Sequence, residues 1–351
     1  MRIFSTEQIS KYHPDKYADQ ISDAIVTELL KHDKGSKAGV EVMVKDTKVI
    51  LGGEVRTSAR INYKKVVRRV AKKLGYKVTK IYNFIGLQSN EIFNGISHDN
   101  GDIGAGDQGL MYGYATRETE SYLPYAFDLA NQIIKLIESD VEYNPFTILK
   151  GDAKTQVMTD LDKPQNIKAI QEILISVCHK EGHTLEKVQA YIKQLTRDLL
   201  NGFNGKFTIN PAGTWTVGGP ISDCGLTGRK IVCDQYGGYC AVGGGAFSGK
   251  DPSKVDRSAA YMARTLAIDL LKNFKEIKWA EVQLSYAIGV AKPTGISVKT
   301  NLSKEKNNEF VDWISFNYSL RPKHIIRYLD LLSKDYETLS EGCHYRNGYF
   351  K

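Results

Sequence analysis

Cysteine is scarce in this 351-residue chain, and what there is has no partner nearby in sequence. Cys178, Cys224, Cys233, Cys240 and Cys343 make an odd five without a C-x-x-C pair, which argues against a disulfide framework or a zinc ribbon and leaves reduced, structural thiols. No apolar run approaches the ~18 residues of a membrane span. Met1-Arg2-Ile3-Phe4 opens no charged-then-apolar secretory segment, so the expectation is a cytoplasmic protein with no membrane partner. Low-complexity tracts are missing, as is any linker long enough to set off an independent module. So are helix-turn-helix, zinc and RNP patterns, which leaves no nucleic-acid partner to expect despite a formal charge of +8 and a pI near 9.0. An anionic small substrate or a solvated surface accounts for that charge equally well. With 42% hydrophobic and 25% charged residues, the composition is that of an ordinary globular protein, long enough for two or three domains and a sizeable core.

The most informative stretch is G-G-G-A-F-S-G-K-D-P-S-K-V-D, from Gly243 to Asp256. Its four glycines free the backbone to bring N–H groups against an anion, and Lys250 and Lys254 follow at once. Asp251-Pro252 reads as a helix N-cap and first helical residue, with Ala259, Met262, Ala263, Leu266 and Leu270 continuing at helical spacing. A glycine loop feeding a helix N-terminus suits phosphate. The spacing is neither a Walker A motif nor a dinucleotide fingerprint, so a polyphosphate site and a tight turn with solvated lysines both stand. Similar turns carrying an aspartate precede helical patterns near residues 13 and 104. Three similar α/β layers are therefore expected. In the first, Ile21, Ile25 and Leu29 share a helical face, Val40, Val42 and Val44 alternate along a strand, and a turn at Asp46-Thr47 leads to a second strand from Lys48 to Val55. In the second, Ala126, Leu129, Ile133 and Ile137 mark a helix, while β-like alternation is read after the first and third helices. In the third, Val282 to Val290 alternates as a strand. The stretch from Gln88 to Gly104 reads as a loop, and at its length as a lid.

His13-Pro14-Asp15-Lys16 heads the first helix, with Asp19 and Asp23 behind it; alone, this is a decorated helix start as readily as a metal-phosphate site. Asp107 and Asp256 are further hard oxygen ligands of the kind magnesium uses beside phosphates. His179 and His183, beside Cys178, have zinc-like helical spacing but no further ligand, and read as structural. Gly225-Leu226-Thr227-Gly228-Arg229-Lys230 again joins glycines to cations.

Together, H-P-D-K with D-Q-I-S-D-A behind it, G-A-G-D-Q-G from Gly104, G-L-T-G-R-K from Gly225 and the Gly243 stretch closely resemble methionine adenosyltransferase, also called S-adenosylmethionine synthetase, in the family's order over nearly the whole chain. The resemblance implies an α/β (α+β) fold of three similar βαβ-type subdomains with pseudo-threefold symmetry, at about residues 1–98, 103–217 and 218–351, with a gate loop at about 89–103. It implies ATP and L-methionine as substrates, two Mg2+ and one K+ per site, and a homodimer or dimer of dimers with shared active sites. His13 would stand by the bridging oxygen at C5′, with Lys250 and Arg229 also catalytic; Asp152, Lys154, Arg229, Lys230 and Lys250 would serve ATP. Glu54, Gln88, Asp223 and Lys254 would contact methionine, Asp15 and Asp256 would hold magnesium, and Glu41 falls at the potassium position. The chain departs from the family at Lys11-Tyr12, where glutamate-glycine is usual, at Thr214-Trp215, which lacks the usual arginine, and at Lys292, which replaces a glutamate. A catalytically impaired regulatory subunit of the same family is the alternative.

Overall fold

Three 19-residue helices, each packed on its own sheet, carry the recurrence seen in the sequence; the computed structural model describes residues 1–89, 104–346 and 350. Helix α1 (Pro14–His32) starts at the His13 cap with Pro14 in its first turn, and turns Ile21, Ile25 and Leu29 inward. It lies on a sheet made by the hairpin of β2 (Lys37–Lys45) and β3 (Lys48–Arg56), whose turn at Asp46 has φ 53. After α2 (Tyr63–Lys73), strands β4 (Lys80–Asn83) and β5 (Gly86–Leu87) pair parallel with β3.

The middle helix, α3 (Tyr125–Tyr143), packs on β7 (Leu149–Asp160) and β1 (Ile3–Ile9). Strand β8 (Ile170–His179) extends that sheet, and β9 (Lys206–Ile209), beyond α4 (Leu185–Thr196), closes it in the order β1-β7-β8-β9. In the last third, β10 (Gly225–Leu226) and α5 (Ile231–Asp234) precede the long helix α6 (Val255–Asn273). That helix covers an antiparallel sheet of β6 (Gly109–Thr116), β11 (Trp279–Tyr286) and β12 (Gly295–Thr300), followed by α7 (Lys304–Asn317), α8 (Pro322–Tyr328) and α9 (Tyr336–Leu339).

Each sheet takes a strand from another third of the chain. Residues 3–9 pair with β7, with Ile9 opposite Lys154; β6 pairs with β11; and β10 pairs with the outer edge of β2. These exchanges bring the motifs together. One buried core cluster spans α1, α6 and their sheets, and a second lies between α3, β7, β8 and α4.

Four local expectations need correction. The segment expected to be helical around Ile173–His183 is strand β8 and a turn, because Ile173, Ile175 and Val177 repeat at period two and all three are buried. His179 keeps the structural role expected of it: its Nε2 accepts from the Trp215 amide at 3.2 Å. Asp251 does not cap α6; Lys254 does, and Asp251 instead accepts from the Ala38 and Ser253 amides, both at 2.9 Å, with Pro252 in the intervening turn. The third-unit strand stops at Tyr286, short of Val290, and strands follow the middle helix too. Apart from Ser89, the expected gate loop lies outside the described residues.

Candidate active site

A helix repeat of 3.6 residues puts Asp15, Asp19 and Asp23 on one face of α1. Each carboxylate accepts a backbone N–H from one of the two glycine-bearing segments. Asp15 bonds Leu226 N at 2.9 Å, Asp19 bonds Gly228 N at 2.8 Å and Asp23 bonds Gly249 N at 2.9 Å. All three are buried and each has a cation: Lys230 beside Asp15, Lys16 at 2.9 Å from Asp19, and Arg257 against Asp23. Lys16 also reaches Asp234 at 2.6 Å, and Arg257 lies over the Tyr336 ring at 4.3 Å. The sequence places Asp19 and Asp23 behind the H-P-D-K turn without assigning either an individual role. Their i, i+4, i+8 spacing was the available signal, since three carboxylates on a face that also turns inward must find partners.

The same two segments share the outer edge of β2. Gly225 and Leu226 lie opposite Val44 and Met43, and Thr227 N donates to Val42 O at 3.0 Å. Further along, Val40 N donates to Gly249 O at 2.9 Å and Asp251 N to Ala38 O at 3.1 Å. At roughly 3.3 Å per strand residue, the two attachments are spaced about 13 Å apart.

Around the first attachment stand His13, Asp15, Asp152, Lys154, Asp223, Arg229 and Lys230. His13 Nδ1 accepts from Asp15 N at 3.1 Å, as an N-cap does. Burial, then the charges of Lys154 and Lys230, push its imidazole down to about 3, so the ring is neutral. Burial opposes ionisation of Asp15, but the Lys230 and Leu226 hydrogen bonds outweigh it and hold the carboxyl below its ordinary value. Asp152, buried at the start of β7, accepts from Gly219 N at 2.7 Å through one oxygen, and burial raises it to about 6. Its other oxygen, Oδ1, is buried with no partner among the described residues. Lys154 and Asp223 are exposed, and half-exposed Arg229 comes within 4.0 Å of Asp15.

Around the second attachment stand Glu41, Glu54, Gln88, Lys250, Lys254 and Asp256. Gln88 Nε2 donates to Glu54 Oε1 at 3.4 Å, and Lys254 lies 3.8 Å from Asp251. Lys250 bonds Asp256. Burial raises the Asp256 carboxyl, Lys250 opposes the rise and Asp107 adds to it. Glu41 lies on β2, where burial raises its carboxyl and Lys250 opposes the rise.

The catalytic, binding and metal-ligating residues that the resemblance implies thus fall into two groups. Asp15 is engaged by Lys230 and Asp256 by Lys250, so the two magnesium candidates sit in different groups. Among the described residues, no group of three or more His, Cys, Asp or Glu side chains could hold a metal unaided. The donors still suit a hard cation, which takes one or two carboxylates and completes its shell with phosphate oxygen and water. Asp256 is the clearest case, since a second carboxylate, Asp107, acts on it while Lys250 pairs with it.

A mixed α/β fold that sets cationic glycine segments against a neutral histidine and buried aspartates has the chemistry that suits an enzyme's anionic, phosphate-bearing substrate. Family models describing the N-terminal, central and C-terminal domains of S-adenosylmethionine synthetase match residues 1–99, 102–215 and 217–351. The chain belongs to the S-adenosylmethionine synthetase family, a family of methionine adenosyltransferases. It is 41% identical to an S-adenosylmethionine synthase of Helicobacter pylori strain J99, and 41% identical to that of Mycoplasmopsis synoviae strain 53; each match covers 98% of this chain and 92% of the relative. A solved structure described as an unusual S-adenosylmethionine synthetase from Campylobacter jejuni is similar at TM-score 0.88 and 34% identity, over 99% of this chain and 97% of that one.

Proposed function

We propose that this chain makes S-adenosylmethionine from ATP and L-methionine by attack of the methionine sulfur on C5′, with tripolyphosphate leaving whole and then hydrolysed to phosphate and pyrophosphate. A thioether has no proton to give up, so the first step needs no general base. It needs alignment of sulfur with C5′ and stabilisation of charge on the departing oxygen.

The state of His13 carries this reading. Its ring is neutral and Nδ1 is an acceptor, so Nε2 carries the hydrogen and is a donor. A neutral donor beside the bridging oxygen stabilises the leaving group without carrying charge into the site. Lys154, Arg229, Lys230 and Lys250 supply positive charge for the phosphates. Asp152 Oδ1 is an open acceptor for a ribose hydroxyl. Glu54, Gln88, Asp223 and Lys254 provide paired charges suited to an amino acid's ammonium and carboxylate.

Asp15 and Asp256 would hold two magnesium ions and Glu41 a potassium ion; when bound, these cations offset charge on the leaving polyphosphate. Because Asp15 and Asp256 lie in different groups, a site formed by the first group of one subunit and the second group of another is the arrangement we favour, in a homodimer or dimer of dimers. A regulatory-only subunit would have no reason to keep His13, both metal aspartates and every phosphate cation. Their presence supports catalysis.

The test is incubation with ATP, methionine, magnesium and potassium, with mass-spectrometric detection of S-adenosylmethionine and separate assays of phosphate and pyrophosphate. All three products are expected. A folded preparation that yields no S-adenosylmethionine overturns the reading.

A further inference from the structure

We infer that Tyr12, which stands where the family pattern has glycine, is a specificity-determining residue for the nucleoside half of the substrate, its ring forming one wall of the cavity that Asp152 faces. The inference rests on the proposed use of ATP.

A cavity of about 540 Å³ opens beside Asp152, walled by Tyr12, Tyr76, Leu149, Val217 and Ile221 among others. It is largely apolar, with two aromatic rings in its lining, while Asp152 brings a buried carboxylate oxygen that has no partner among the described residues. Such a cavity takes a planar body through its aromatic and aliphatic walls and orients it by a hydroxyl at the carboxylate, which is the chemistry of a nucleoside.

Tyr12 is held in this wall from three sides. Gly151, next to Asp152 and at φ +93, leaves room for the ring to lie on its backbone; a Cβ there would come within 2.6 Å of it. The Tyr76 hydroxyl donates to the Tyr12 carbonyl. Lys11 is anchored through its amide to Glu138 at 2.6 Å and through its ammonium to Glu142. The charge reversal at Lys11 and the bulk at Tyr12 therefore act as one unit: the ion pair fixes the backbone and the ring closes the space that glycine leaves open. A ring held this way loses little freedom when ligand binds and resists displacement by a larger one.

The protein should consequently discriminate against ATP analogues with added bulk on the base. The experiment compares kcat/KM for ATP with that for ATP analogues substituted at purine C2, N6 or C8, in the wild type, Tyr12→Ala and Tyr12→Phe, each checked for folding by thermal melting. Tyr12→Ala is expected to improve the ratio of at least one bulky analogue to ATP by tenfold or more, while Tyr12→Phe keeps the wild-type ratios because the ring does the excluding. Folded Tyr12→Ala with unchanged ratios for all three analogues overturns the proposal. So does an equal loss of selectivity in Tyr12→Phe. If Tyr12→Ala does not fold, Tyr12→Leu replaces it under the same criteria. Wild-type protein that makes no product from ATP and methionine would instead defeat the functional reading on which the inference rests.

Discussion

His13 and Asp152 sit in one group, and burial favours the uncharged form of each, which lowers the histidine to about 3 and raises the aspartate to about 6, so near neutral pH the imidazole is neutral while Asp152 is ionised. The unfolded state binds more protons at His13 between its ordinary value near 6.5 and about 3. Its contribution to stability is thus fully present above pH 6.5 and lost as pH falls through that window. Asp152 has the reverse sign: the folded state holds its proton up to about pH 6, so its contribution is present below its ordinary value of 3.8 and disappears as pH rises through 6. For activity, ionised Asp152 is the better acceptor for a ribose hydroxyl, so the KM for ATP should fall as pH rises through about 6 in wild type and lose that dependence in Asp152→Asn. Steady-state kinetics from pH 5 to 8 will show whether it does. Asp256→Asn separates metal binding from folding. The amide keeps the volume but lacks the charge that magnesium requires, so turnover should fall by a barrier increase on the order of several kcal/mol. The melting temperature without ligand should barely move, because loss of the Lys250 pair is offset by relief of repulsion from Asp107. Near-normal turnover in folded protein would remove Asp256 from the metal site.

At the scale of elements, α1 does more than the periodicity of Ile21, Ile25 and Leu29 announces. Its polar face fastens both glycine segments, and Asp23 is the sharpest test because it and Arg257 are both fully buried. Asp23→Asn leaves the guanidinium without a counter-charge, so stability should drop by about 3–5 kcal/mol, the usual cost of breaking a buried pair. Urea unfolding should show a loss well beyond that of Asp256→Asn; equal, small losses would mean that the pair does not anchor the Gly249 turn. The amphipathic helices and the β2–β3 hairpin were legible in the sequence because burial there follows a simple repeat. The motif residues were legible only through their resemblance to a family. At strand β8 two signals compete, since His179 and His183 are spaced as on a helix while Ile173, Ile175 and Val177 repeat at period two, and burial of the latter decides. The cap at Asp251 was misread because Asp-Pro has the composition of a helix start, whereas its carboxylate is claimed by the Ala38 amide of a distant strand. Long-range pairings of that kind leave no local signature, and the docking of β10 on β2 is another.

For the whole molecule, the question is what brings the two groups together. Both lie on the edge of β2, separated by about 13 Å of strand by the usual rise per residue, and each has its own lysine–aspartate pair. In the proposed reaction, His13 of the first group would act at C5′, while Lys250 and Asp256 of the second would relieve charge along the polyphosphate. A second copy of the chain, related by a two-fold axis, can bring its second group to the first group of its partner, and the reverse, forming two equivalent sites. This arrangement makes a quantitative prediction. A Lys230→Ala subunit is damaged in the first group and a Lys250→Ala subunit in the second, so both homodimers should be nearly inactive. In a heterodimer with shared sites, one site collects both substitutions and the other collects none. The purified heterodimer, obtained by co-expression with two different tags, should therefore recover about half of wild-type activity per dimer. If each chain instead builds its own site, both sites of the heterodimer carry one substitution, and activity should stay at the level of the homodimers.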